Sequence, residues 1–118
     1  MEDNKYLQNW ISQLKKGMVP YLTLQELRTG TKYGYDLLRS VNGSMEFAIT
    51  DGTLYPMLIK MHDAGLLEYK WVEQSSGIPR KYYSMTDKGR SVLNEMQKHL
   101  ASFSIFDTKK KSDGKDKV

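Results

Sequence analysis

The apolar positions near the start of the chain fall on one helical face. Leu7, Ile11, Leu14 and Met18 recur at steps of four, three and four residues, a stripe of the kind that seats a partner helix. Gly17 and Pro20 interrupt it. A proline fits the first turn of a helix but costs a backbone hydrogen bond in the interior. The pattern therefore predicts one helix over about 5–16 and a second over about 18–28, with a single long kinked helix as the competing reading. Gly30 supplies a stop, since glycine takes the left-handed conformation cheaply. Thr31 then opens a helix with Asp36 in its early turns and Tyr33, Leu37, Leu38 and Val41 on its apolar face, ending at Gly43.

Residues 43–49 read as a connector, after which Thr50 and Asp51 open another helix. Leu54, Leu58 and Met61 repeat at helical spacing, and Gly65 with Leu66 forms a glycine stop. Pro56 forfeits a backbone donor, so a local distortion near Gly52 is expected. The period then changes. Leu67, Tyr69 and Trp71 alternate with Glu68, Lys70 and Val72, residues 74–79 are turn-forming, and Arg80 to Met85 alternates again, which is a hairpin. Thr86 and Asp87 open a last helix with Leu93, Met96, Leu100 and Phe103 at steps of three and four.

These elements define a mainly α chain with a small β-hairpin. Three helices followed directly by a hairpin form a winged helix-turn-helix, here with additional N- and C-terminal helices. The reading assigns 1–106 to one domain, with terminal dimerisation helices over about 5–16 and 87–106. Residues 107–118 form a charged tail expected to be disordered. Five lysines against three aspartates in that tail carry half of the net charge of +4. A nucleic-acid surface on the rest must therefore be a local patch.

Composition narrows the function. The 118 residues suffice for one modest core, leaving little room for a separate catalytic domain. The absence of cysteine excludes disulfides and thiolate metal sites and fits a reducing cytoplasm. No apolar run approaches the ~20 residues that span a bilayer, and Met1 to Lys5 lacks a signal-peptide profile. The expectation is a cytoplasmic, soluble protein without membrane contact. His62 and His99 stand in no metal-ligand spacing, the glycines punctuate elements instead of forming a phosphate loop, and Ser75-Ser76-Gly77 is a turn. No catalytic residue, cofactor or metal is expected, and the chain reads as no enzyme.

Five ordered blocks carry a resemblance: Tyr33-Gly-Tyr-Asp-Leu-Leu, Gly52-Thr-Leu-Tyr-Pro-Met-Leu, Gly65-Leu-Leu, Gly77-Ile-Pro-Arg-Lys-Tyr-Tyr and Thr86-Asp-Lys-Gly. Together they closely resemble the PadR family of bacterial and archaeal repressors over roughly residues 17–105, in its compact branch with a single C-terminal helix. The resemblance implies a homodimer on a pseudo-palindromic operator, the helix after Thr50 in the major groove, and Tyr55 near the sugar-phosphate backbone. It also implies relief by a small hydrophobic or phenolic effector. Some relatives hold flat drugs between tryptophans on the terminal helices. Leu100 stands where such a tryptophan would fall, so this chain departs from that pattern.

The residues themselves supply candidates for each role. With Leu54, Leu58 and Met61 facing inward, Thr50, Thr53, Met57 and Lys60 fall largely on the outer face, and Gly52 with Thr53 would let the backbone approach DNA. Arg80 and Lys81 follow the hairpin turn, where a wing reaches phosphate or minor groove, and Lys32, Lys60 and Lys70 are expected to converge beside them. Tyr35 and Tyr55 complete the DNA-contact set. Leu7, Trp10, Ile11, Leu14, Leu93, Met96, Leu100 and Phe103 make the expected dimer interface, and Trp10, Leu100, Phe103 and Phe106 the candidate ligand pocket. The alternative function is a winged-helix protein-interaction module that does not bind DNA.

Overall fold

A computed structural model describes residues 2–43 and 49–103. Phe106 and the charged tail lie outside the described residues. Helix α1 (Glu2–Leu27) is one continuous element, the competing expectation, not two helices meeting around Gly17. Pro20 sits inside it, so the Lys16 carbonyl loses its helical donor. The helix continues because buried residues anchor it on both sides: Val19 just before the proline, and Thr23, Leu24 and Leu27 after it.

Gly30, at φ 145°, turns the chain out of α1 into a short strand β1 (Lys32–Tyr33), which passes into α2 (Gly34–Gly43). Two residues show no alternation, so the sequence pattern hid this strand. Asn42 bridges the end of α2 to the chain beyond it. Its amide nitrogen donates to the Ile49 carbonyl at 3.2 Å, and the Ile49 N–H donates to its side-chain oxygen at 2.7 Å.

Helix α3 (Asp51–Asp63) runs through Pro56. The Thr50 carbonyl accepts from both the Thr53 and Leu54 N–H groups at 3.0 Å, tightening the first turn. Its C-terminus closes as the sequence predicts: Gly65, at φ 82°, donates to His62, and the Leu66 N–H reaches back to the Met61 carbonyl at 3.0 Å. Strands β2 (Leu67–Val72) and β3 (Arg80–Met85) match the predicted hairpin, with Gly77 at φ 87° in its turn. They form an antiparallel sheet of order β1-β3-β2.

Helix α4 (Asp87–Ala101) starts on Thr86, whose hydroxyl oxygen accepts from the Gly89 N–H at 3.0 Å and whose hydroxyl donates to the Gly65 carbonyl at 2.6 Å. One side chain thus caps α4 and ties it to the end of α3. Gly89 is needed there because a Cβ would collide with the Leu66 carbonyl. The helix ends before the expected residue 106, and Phe103 follows it.

The core gathers Val19, Leu24 and Leu27 of α1, Leu37 and Val41 of α2, and Leu54, Leu58 and Met61 of α3, closed by Leu67, Tyr83 and Leu93. Leu93 is only 1% exposed in this core, whereas the sequence reading offers it to a partner. The difference arises because α4 packs on α1 as well as carrying an outer face. No helix among the described residues is long and apolar enough to cross a membrane.

Candidate nucleic-acid interface

Helix α3 offers part of the outer face its sequence suggests, with Thr50, Gly52 and Lys60 exposed. Gly52, Pro56, Ile59, Lys60 and Asp63 are exposed, on the side opposite Leu54, Leu58 and Met61. Thr53 and Met57 are half-buried on the flank. Met57 packs against the core, and Thr50 and Thr53 line a cleft of about 290 Å³ against Ile11, Lys15 and Ile49. The helical period fixes the centre of the buried stripe, but neighbouring elements decide its width. Here α1 covers the Thr53 side. Pro56 and Ile59 are the residues that sequence reasoning missed, and their distance from Leu54 and Leu58 around the helix was the available signal.

On its other flank α3 meets β1, α2 and the hairpin across a groove of about 380 Å³, lined by Tyr33, Tyr35, Tyr55, Ile59, Arg80 and Lys81 among others. Tyr55 turns its ring against Gly34, where a Cβ would approach the ring carbon Cε1 to 2.8 Å. Glycine at the start of α2 therefore makes room for this ring. Burial first, then Asp51 and Tyr33, pushes the Tyr55 phenol above its ordinary pKa of 10.0. It stays protonated at neutral pH, a neutral donor suited to a phosphate oxygen. Tyr83 is raised likewise, by burial and by Tyr55 and Tyr69.

The cations divide between the two faces of the sheet. Arg80 holds its guanidinium 4.5 Å from the centre of the Tyr33 ring, which itself lies 5.7 Å from Tyr82. Lys81 instead places its ammonium 3.9 Å from the centre of Tyr69. Tyr35 is exposed at the start of α2, with the Arg39 guanidinium 5.9 Å from its ring centre. Lys70 pairs with Tyr82 and Lys32 with Tyr83, so these two lysines project from opposite faces of the sheet. The expected convergence of Lys32, Lys60 and Lys70 is not what the register gives.

Helices α2 and α3 with the following hairpin define the winged-helix class. A family model described as the PadR-like family of transcriptional regulators matches residues 23–95. The chain belongs to that family, whose members are transcriptional regulators and not enzymes. A PadR family regulator from Eggerthella lenta is 31% identical, with a TM-score of 0.77 over 92% of this chain and 95% of that one. A PadR-like regulator from Bacillus cereus is 30% identical, with a TM-score of 0.71 over 82% and 94%. Bacillus subtilis PadR, solved in complex with operator DNA, is 26% identical, with a TM-score of 0.62 over 68% of this chain and 45% of that one.

Proposed function

We propose that the chain is a homodimeric repressor that sets α3 into successive major grooves of a pseudo-palindromic operator. The observation that carries this reading is the outer face of α3, where the short Gly52 and Pro56 are exposed and the apolar Ile59 shares a groove with the Arg80 and Lys81 cations. Short side chains allow close approach to base edges, and flanking cations neutralise phosphates. The Bacillus subtilis relative in complex with operator DNA supports the same use of the fold. In this reading Lys32, Lys60 and Arg80 meet phosphates, Tyr35 and Tyr55 donate their hydroxyls to the backbone, and Thr50 and Thr53 work at the margin of the groove.

Dimerisation is supported by apolar surface left on the terminal helices. Tyr6, Leu7, Trp10 and Leu14 are exposed along α1, more than single scattered apolar residues explain. Between α1 and α4 lies an apolar groove of about 410 Å³, lined by Met18, Tyr21, Val92, Met96 and Leu100. A partner's helices would cover both. A small hydrophobic or phenolic effector would enter at this seam beside Trp10, Leu100 and Phe103, and would act by changing the angle between the two heads.

Fluorescence anisotropy of a labelled duplex, titrated with the protein at rising salt, tests the proposal. Affinity should fall steeply, by about one unit of log–log slope per neutralised phosphate. Arg80→Ala should lower affinity for cognate and random duplexes by similar factors and reduce that slope. Binding that ignores salt, or no binding at low salt, would leave the protein-interaction alternative standing.

A further inference from the structure

Helix α3 has a second flank, turned away from the hairpin, where the first half of α1 runs past its start. The cleft of about 290 Å³ between them is lined by Ser12, Lys15 and Lys16 of α1 and by Thr50 and Thr53 at the start of α3. None of the described residues lining it carries a carboxylate. Lys16 is exposed and Lys15 half-buried. The two lysines follow directly on the exposed apolar stripe of α1, whose last member is Leu14, and precede its buried anchors, which begin at Val19. An ammonium adds little to an apolar seam and is costly in a core, so neither neighbouring surface accounts for the pair.

We infer that Lys15 and Lys16 hold a second sugar-phosphate strand of duplex DNA, the one on the α1 side of α3. This inference rests on the DNA-binding reading and extends it to a helix outside the winged head. A helix with its side chains is about 10–12 Å across and the major groove about 12 Å wide, so a helix lying in the groove has one backbone strand on each flank. On the hairpin flank Ile59 and Tyr55 share a groove with Arg80 and Lys81. On the other flank the cations that line the cleft come from α1 alone. Two ammonium groups beside the hydroxyls of Ser12, Thr50 and Thr53 make a set of donors matched to phosphate oxygens. In a dimer joined through the first half of α1, this strand is the one nearer the two-fold axis. The contact carries no base identity and serves all sequences alike.

Anisotropy of a labelled mixed-sequence duplex, followed across a salt series, compares the parent with Lys16→Gln, Lys16→Arg and the double variant Lys15→Gln with Lys16→Gln. Lys98→Gln is the charge control, since Lys98 is exposed on α4 and bonded to Glu95. Lys16→Gln should weaken binding several-fold and lower the magnitude of the salt slope by about one unit per chain. The double variant should lose more, and Lys16→Arg should keep the parent's slope. The melt of Lys16→Gln should stay near the parent's because the side chain is exposed. If the duplex binds, yet Lys16→Gln and the double variant match the parent in affinity and slope, the inference is overturned while the DNA-binding reading stands. A loss of the same size in Lys98→Gln would trace the effect to net charge and overturn it too. If no duplex binds at low salt, both readings fall. Inorganic phosphate at constant ionic strength separates the remaining source of the anion. A rise in melting temperature that needs Lys16, beside an unchanged duplex affinity in Lys16→Gln, would assign the cleft to a free anion and overturn the inference.

Discussion

Thr23 is wholly buried in α1, and its hydroxyl oxygen has no hydrogen-bond partner among the described residues. A buried unsatisfied polar group costs about 1–3 kcal/mol, and valine has the same shape without the hydroxyl. Thr23→Val should raise the urea midpoint, corresponding to a gain of about 1 kcal/mol. A lower midpoint would mean that the hydroxyl has a partner in solution. Gly34 poses the opposite problem at the same scale. Its missing Cβ leaves room for the Tyr55 ring, so a backbone atom in α2 sets where a phenol on α3 can stand. No periodicity encodes that pairing; it depends on two residues far apart in sequence meeting in space.

Among the elements, α4 depends most on a single residue. Thr86 accepts from the Gly89 N–H and donates to the Gly65 carbonyl. Thr86→Ala removes both bonds and should cost about 1–2 kcal/mol, whereas Thr86→Ser should keep most of the stability; thermal melts would compare them. An unchanged melt for the alanine variant would show that the tie to α3 contributes nothing. The start of α4, the stop at Gly65 and both hairpin strands were legible because each rests on local chemistry: a cap, a positive φ, an alternation. The continuity of α1 was left open between one helix and two, because core residues on either side of Pro20 outweigh one lost hydrogen bond. The outer face of α3 was legible only in part. Thr53 and Met57 lie at the margin of the buried stripe, where tertiary neighbours decide, and the sequence alone does not name those neighbours.

At the scale of the whole molecule the seam and the core compete for the same helix. Leu93 and Leu100 both lie on the apolar side of α4, but Leu93 is fully buried and Leu100 lines the open groove against α1. Leu100→Glu should dissociate the proposed dimer while leaving the melt of the monomer near the parent's. Leu93→Glu should instead unfold the chain, since it places a charge in the core. Sedimentation velocity together with circular dichroism separates the two outcomes. A Leu100→Glu variant that stays dimeric would remove α4 from the seam.

The unbroken α1 has a mechanical consequence for that dimer. Its exposed apolar stripe occupies the first half and its buried anchors the second, so one rod joins the proposed seam to the base of the DNA-binding head. At 26 residues the rod is about 39 Å long at ~1.5 Å per residue. In the proposed dimer it would work as a lever arm, with its fulcrum at the seam. From the seam's centre near Trp10 the arm to Leu27 is about 26 Å, so a tilt of roughly 10° there would sweep the far end through about 4.5 Å, a little more than one base-pair rise of ~3.4 Å. In that reading, a ligand that shifts side chains by a fraction of that distance at the fulcrum would carry α3 out of step with the groove proposed for it.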